Sequence, residues 1–479
     1  MARQWRGGQY RDVSATLAGN GNIARGLKTA NRLSNTMFAA YGLHQMSLLG
    51  SDSDNYRRDM ITKSSNLVIV EGNLVPVDGD GAAARGRVEI DASTGLIVET
   101  GEARGTGDLV LADDHIIMAG IIDQHVHARE DPTGKDAYKE SFQTAGEAAV
   151  NGGVVAIVDM PNNPEAPVDD ESYLKKKALT AGSLIDILLY AGIGPGTMPL
   201  SFPAPYKAYM GPSIGHLFFK NEEALREALS HYRGHFVAFH AEDPVILEES
   251  EDADTHFLRR PPEAEVEAID LILRMSDSYG IRPHICHLSP AEGLELIRGA
   301  RKKGLRVTTE VTPHHLYYDQ DNARGFSRPD YLQCNPPIRT RLDRISLLEG
   351  LRCGDIECLA TDHAPHTIEE KDLGVSGVTQ LDTFGAFLFW LMDEGFDLPT
   401  LQRACAEVPG RFLGRYLPHR YGKLEPGFVG SLTILKKESF TVRRSELKTR
   451  AGWSPFEGVT FPGRVSHTIV RGQIYPRLD

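Results

Sequence analysis

Four histidines and one aspartate each follow a short apolar run: His125 and His127 after Ile121-Ile122, His240 after Phe236–Phe239, His287 after Pro283–Cys286, and Asp362 after Ile356–Thr361. Imidazole and carboxylate together are the ligand set for Zn²⁺ or a similar divalent ion. On an extended segment the two imidazoles of His125-Val126-His127 share one side, because strand side chains alternate, so both can grip one ion. Taken singly, each histidine reads more readily as a surface, capping or packing residue. The same pattern recurring at the ends of several strands is what carries the metal reading. Two ions also need a bridge. A lysine can serve as one only after its amine has reacted with CO₂, since an ammonium has no lone pair to offer. Lys207, inside Pro205-Tyr206-Lys207-Ala208-Tyr209-Met210-Gly211, stands in an apolar stretch, and its other reading is a lysine that snorkels to the surface.

The elements that must hold these residues alternate. Val154–Val158, Ile185–Leu189, His235–Phe239, Pro283–Cys286 and Ile356–Ala360 read as buried strands, separated by helical patterns such as Ala264–Ser278 and Ala291–Lys302. Strand-helix repetition of this kind predicts an α/β fold with a parallel sheet, and its number predicts a TIM-like (β/α)8 barrel over residues 119–421. In such a barrel the chemistry sits at the carboxyl ends of the strands, where these stations fall. Short strand-like pieces before residue 119 (Asn66–Val70, Arg87–Ile90, Gly95–Val98) and after residue 422 (Ser431–Leu435, Thr468–Val470) predict a small composite β domain, a β-sandwich, from 61–118 and 422–479. Residues 1–60 are rich in Gly, Asn, Ser and Ala and poor in acid. They read as an N-terminal extension, disordered or loosely docked, in preference to a transit peptide.

At 479 residues the chain has room for a large barrel and an accessory domain. A net charge of −13 repels polyanions and argues against nucleic acid as a partner. No long uninterrupted apolar run predicts a membrane span. Five scattered cysteines, Cys286, Cys334, Cys353, Cys358 and Cys405, argue for free thiols in a reducing cytoplasm, with Cys353 and Cys358 expected to be buried.

The ordered set Gly120–Glu130, Met160-Pro161-Asn162, His240-Ala241-Glu242, His284-Ile285-Cys286-His287, Thr312–Leu316, Asn335-Pro336-Pro337, Asp362–His366 and Ser454–Gly458 resembles the dihydroorotases of the amidohydrolase superfamily. The resemblance runs from about residue 65 to 475. It implies a metal-dependent hydrolase barrel holding two Zn²⁺ ions: His125, His127 and Asp362 on the more buried ion, His240 and His287 on the more exposed one, and Lys207 as an N6-carboxylysine bridging them. It implies that Arg129, Asn162, Asn335 and His366 bind the substrate. A guanidinium suits a ring carboxylate because it pairs with it bidentately. It further implies reversible interconversion of (S)-dihydroorotate and N-carbamoyl-L-aspartate in pyrimidine biosynthesis. In that reaction Asp362 moves the proton from the attacking water to the departing ring nitrogen. A homo-oligomer and an association with aspartate carbamoyltransferase belong to the same implication.

The alternatives are a related cyclic amidohydrolase (dihydropyrimidinase, hydantoinase or allantoinase) and a non-catalytic scaffold. The loop Glu130–Gly134, the pair Asp382-Thr383 and the run Gly430-Ser431-Leu432 depart from the family pattern, yet none removes a ligand. Ser213 and Ile214, in a stretch rich in hinge-type residues, read either as a lid loop or as a plain surface turn. His314 and His315 read as supporting or packing histidines.

Overall fold

The computed structural model describes residues 66–76, 82–211, 217–219, 221–326 and 328–477. The extension expected over 1–60 and the lid residues Ser213 and Ile214 lie outside the described residues.

The expected strands form. Near the start of the described chain stand β1 (Leu67–Leu74), β2 (Ala84–Asp91), β3 (Leu96–Gly101), β4 (Leu109–Val110) and β5 (His115–Ala119). The parallel strands are β6 (Ile121–Val126), β7 (Val154–Asp159), β8 (Asp186–Leu189), β9 (Ala191–Ile193), β10 (Tyr206–Tyr209), β11 (Phe236–His240), β12 (Arg282–Ile285), β13 (Thr308–Val311) and β14 (Cys358–Leu359). After them come β15 (Leu432–Lys436), β16 (Phe440–Thr441), β17 (Thr460–Phe461), β18 (Arg464–Val470) and β19 (Gln473–Pro476).

The parallel strands pair in order as β6-β7-β8 and as β9 through β14, each beside its sequence neighbour. Every residue of β6, β7, β10 and β11 is buried. That is why these strands read as continuous apolar runs rather than alternating ones: a parallel sheet is covered on both faces. A parallel bridge between Val126 and His363 links the start of this series to its end. The run Ile356–Ala360 yields only a two-residue strand, although Ala360 N still donates to Val311 O of β13 at 3.0 Å.

Helices fill the connections. The helix Pro262–Tyr279 begins with proline in its first turn, where no N–H is needed, and stops at Gly280, whose φ of 65° supplies the left-handed cap. It is longer than the expected Ala264–Ser278, while Ala291–Lys302 forms with the expected bounds.

The strands from the two ends do pair, as one eight-stranded sheet in the order β19-β18-β15-β5-β1-β2-β3, with β4 beside β1. β15 runs antiparallel to β5, with Ile434 opposite Ile117. Val70, Val88, Ile90, Ile117, Leu432, Ile434 and Ile469 make one buried apolar cluster, so residues more than 300 positions apart share a core. All five cysteines are free; Cys358 is buried as expected, but Cys353 is exposed. It lies in the last turn of the helix Arg341–Cys353, facing solvent, with its thiol donating to Glu349 Oε1 at 2.9 Å. Among the described residues no helix is long and apolar enough to cross a membrane.

Candidate active site

The five stations converge. His125 Nε2 and His127 Nε2 each lie 3.1 Å from Asp362 Oδ1. His240 Nδ1 lies 3.0 Å from His287 Nε2, and the His125 and His287 rings are 5.2 Å apart. Together with Arg129, Asn162, Lys207, Tyr209, Asn335, His366 and the segment Val375-Ser376-Gly377, these residues line a cavity of about 420 Å³. Gly377, at φ 137°, has no room for a side chain: a Cβ there would stand 2.5 Å from Ala364 O.

The backbone at this end of the sheet is held in costly conformations. Arg129, His287 and Asp362 have φ of 63°, 37° and 50°, a region that non-glycine residues rarely occupy and that clusters at functional sites. Buried acids over-determine it. Asp123 Oδ1 accepts from His125 N at 3.2 Å and from Thr361 N at 3.1 Å, tying the first histidine to the turn that presents Asp362. Asp159 Oδ1 accepts from Ala128 N at 2.7 Å, between His127 and Arg129, while its Oδ2 lies 2.5 Å from Lys176 Nζ, both side chains fully buried. Breaking a buried pair from one side strands the other charge. The Lys176→Met protein is therefore expected to lose about 3–5 kcal/mol of stability, read as a fall in the urea midpoint at neutral pH.

Three of the four imidazoles have one nitrogen committed away from the centre, while His287 Nδ1 is buried and has no hydrogen-bond partner among the described residues. His125 Nδ1 is bound by Glu310, His127 Nδ1 donates to Asn162 Oδ1 at 2.7 Å, and His240 Nε2 donates to Glu242 Oε2 at 2.8 Å. Such partners fix the tautomer and leave the other nitrogen as a lone pair facing inward. Burial, and then the charge of Arg129, holds His127 well below the usual histidine range; burial, and then His240, does so for His287. These rings are neutral, as ligands must be. Burial pushes the Asp362 carboxyl up, against the pull of His125 and Lys207. The His125 and His127 lone pairs, which meet the Asp362 carboxylate with no donor between them, fit a divalent cation. Lys207 is fully buried, its Nζ donating to Cys286 Sγ at 2.8 Å, and among the described residues no carboxylate pairs with it.

Arg129 forms part of the cavity wall, 3% exposed. Its Nε donates to Pro365 O and its Nη2 to His366 Nε2, both at 3.2 Å. Asn335 Oδ1 is buried without a hydrogen-bond partner. His314 and His315 stand behind the site: His315 Nε2 donates to Pro336 O at 3.1 Å, and His314 Nδ1 faces the Gln380 amide at 2.6 Å.

Sequence reasoning missed Glu310, Glu242, Asp123, Asp159 and Ser376. Glu310 and Asp159 carried a signal, an acid at the carboxyl end of an otherwise buried strand, and Glu242 stands two residues after a station. Lys371 was missed as well. It is fully buried under the cavity wall and donates to Gln333 O at 3.1 Å and to Val375 O and Gly377 O at 2.8 Å. Burial brings its pKa down to about 8 from 10.5. An unfolded lysine keeps its proton to about pH 10.4, so between these values the unfolded chain binds more protons than the folded one. The residue's contribution to stability therefore rises with pH across that window. The wild-type urea midpoint is expected to gain on that of Lys371→Met as pH goes from 8 towards 10.

No protein-family profile matches the chain. It is 32% identical over 420 residues to a dihydroorotase of Pyrococcus furiosus, covering 86% of this chain and 93% of that one. It is also 32% identical to a dihydroorotase of Methanothermobacter thermautotrophicus, over 81% of this chain and 91% of that one. Among solved structures, an L-hydantoinase (dihydropyrimidinase) from Arthrobacter aurescens superposes with a TM-score of 0.76 at 25% identity, over 86% of this chain and 96% of that one. A dihydropyrimidinase from Brevibacillus agri superposes with a TM-score of 0.74 at 20% identity, over 86% and 95%, which speaks to the fold alone.

Proposed function

Since the chain belongs to the dihydroorotase family, a family of hydrolases acting on cyclic amides, we propose that the cavity between His125 and Arg129 is where it opens and closes the dihydroorotate ring. The observation that carries this is the buried Arg129 guanidinium on the same cavity wall as the cluster His125, His127, His240, His287 and Asp362. A guanidinium matches a carboxylate in geometry and charge, and dihydroorotate carries a ring carboxylate that dihydrouracil and hydantoin lack.

His125, His127 and Asp362 would hold one Zn²⁺, and His240 and His287 a second, with Lys207 bridging as an N6-carboxylysine. The bridge is supported by chemistry: a buried ammonium without a counter-ion is costly, whereas carboxylation makes the same side chain an anionic ligand. When bound, such ions polarise the ring carbonyl and make the attacking water acidic enough to react near neutral pH.

The chain's own residues do the rest. Arg129 and Asn162 orient the ring carboxylate, and the unpaired Asn335 amide oxygen takes a ring N–H. His366 supports Arg129. Asp362 accepts a proton from the water as its oxygen bonds to ring carbon 4. It then delivers that proton to ring nitrogen 3 as the carbon–nitrogen bond breaks, giving N-carbamoyl-aspartate. Ring closure runs the same transfers backwards. The parallel strands, with the Val126–His363 bridge joining first to last, support a closed (β/α)8 barrel over 119–421. The shared terminal sheet supports a composite domain from 61–118 and 422–479.

The test is an ultraviolet assay of purified protein supplied with zinc and bicarbonate, on dihydroorotate alongside dihydrouracil, hydantoin and allantoin. Dihydroorotate is expected to be consumed far faster than the three uncharged rings. A preference for any of those rings would replace this reading with that of a hydantoinase, dihydropyrimidinase or allantoinase.

A further inference from the structure

We propose that Glu370, on the short helix Ile368–Asp372 outside the metal cluster, is a positioning residue that sets the carboxylate reader, acting through His366 on Arg129. This rests on the reading that Arg129 pairs with the ring carboxylate. The chain of contacts is continuous. Arg129 Nη2 donates to His366 Nε2 at 3.2 Å, and His366 Nδ1 lies 3.0 Å from Glu370 Oε2. A guanidinium can only donate, so His366 Nε2 must present its lone pair. A carboxylate can only accept, so His366 Nδ1 must carry the proton. Two independent contacts thus demand one tautomer. With the opposite tautomer, two N–H groups would face each other and the guanidinium would turn.

Glu370 is itself fixed from three directions. Its Oε2 accepts from Thr367 N at 3.1 Å, closing a reciprocal cap with Glu370 N and Thr367 Oγ1. Its Oε1 accepts from Tyr138 O–H at 2.6 Å and from Lys139 Nζ at 3.1 Å. Tyr138 and Lys139 come from the stretch that follows Glu130–Gly134 and leads into the helix Phe142–Asn151. That stretch therefore has a use: it clamps the acid that holds the histidine that aims the arginine. Nε and Nη2 are engaged, and among the described residues Nη1 has no protein partner and is the arm left for a ligand.

The experiment compares wild type, Glu370→Ala, Glu370→Asp and Arg129→Met on dihydroorotate and dihydrouracil, with ¹⁵N NMR of the His366 ring. In the wild type, His366 is expected to be neutral and protonated on Nδ1; a proton on Nε2 would overturn the proposal without any variant having to fold. Glu370→Ala is expected to raise KM for dihydroorotate about 10–100-fold, the range for partners acting through a ligand-holding histidine, with kcat unchanged and dihydrouracil turnover untouched. Glu370→Asp should recover part of that loss. Equal losses on both substrates would mean a merely structural role and would overturn the proposal. If Arg129→Met itself leaves the dihydroorotate KM unchanged, the carboxylate reading fails instead. If Arg129→Met raises it and Glu370→Ala does not, the positioning role alone fails.

Discussion

Asp362→Asn is expected to fold, to retain the histidine cluster, and to lose about 10²–10⁴-fold in kcat, the range for a removed general acid–base group. The substitution keeps shape and removes basicity. Oδ1 sits 3.1 Å from both His125 Nε2 and His127 Nε2, and burial lifts its proton affinity above that of an ordinary aspartate. A carboxylate so placed can accept a proton and release it again, whereas an amide cannot. Elemental analysis of the same preparation separates loss of the base from loss of an ion. Turnover close to wild type with metal still bound would remove Asp362 from the proton path.

Arg129→Met should act on recognition. A charged pair truncated on one side in a dry site costs about 2–5 kcal/mol, so kcat/KM for dihydroorotate should fall by roughly 30- to 4,000-fold. Dihydrouracil, which lacks the carboxylate, should be processed as before or better. Because Arg129 is 3% exposed and its Nε already holds Pro365 O, methionine also removes a cross-link between the turns after β6 and β14. A thermal or urea midpoint alongside the kinetics keeps the two effects apart. Equal losses on the charged and uncharged rings would refute the carboxylate assignment.

The stations were legible because parallel strands bury both faces, which forces apolar runs, and because chemistry at such a sheet must sit where those runs end. His125, His127, His240, His287 and Asp362 were therefore visible as polar residues closing apolar segments, and the structure brings them together. Glu310 was not, although it follows the same rule: without coordinates, an acid at a strand end reads equally well as solvent-facing. The same holds for Glu370, which joins local partners, His366 and Thr367, to Tyr138 and Lys139 more than 200 residues away. Cys353 was misjudged because a thiol's preference for burial is an average, while its helix turns that position outward. The terminal strands were found, yet their register, with β15 inserted between β5 and β18, depends on a sequence separation that no local pattern encodes.

The left-handed backbone at Arg129, His287 and Asp362 shapes how this protein can evolve. At each of those positions glycine would relieve backbone strain but would delete a buried side chain and its contacts, so relief there removes a residue of the site itself. Natural lineages that keep the reaction are barred from that relief and must find their robustness elsewhere, on the outer helices or in the shared terminal sheet.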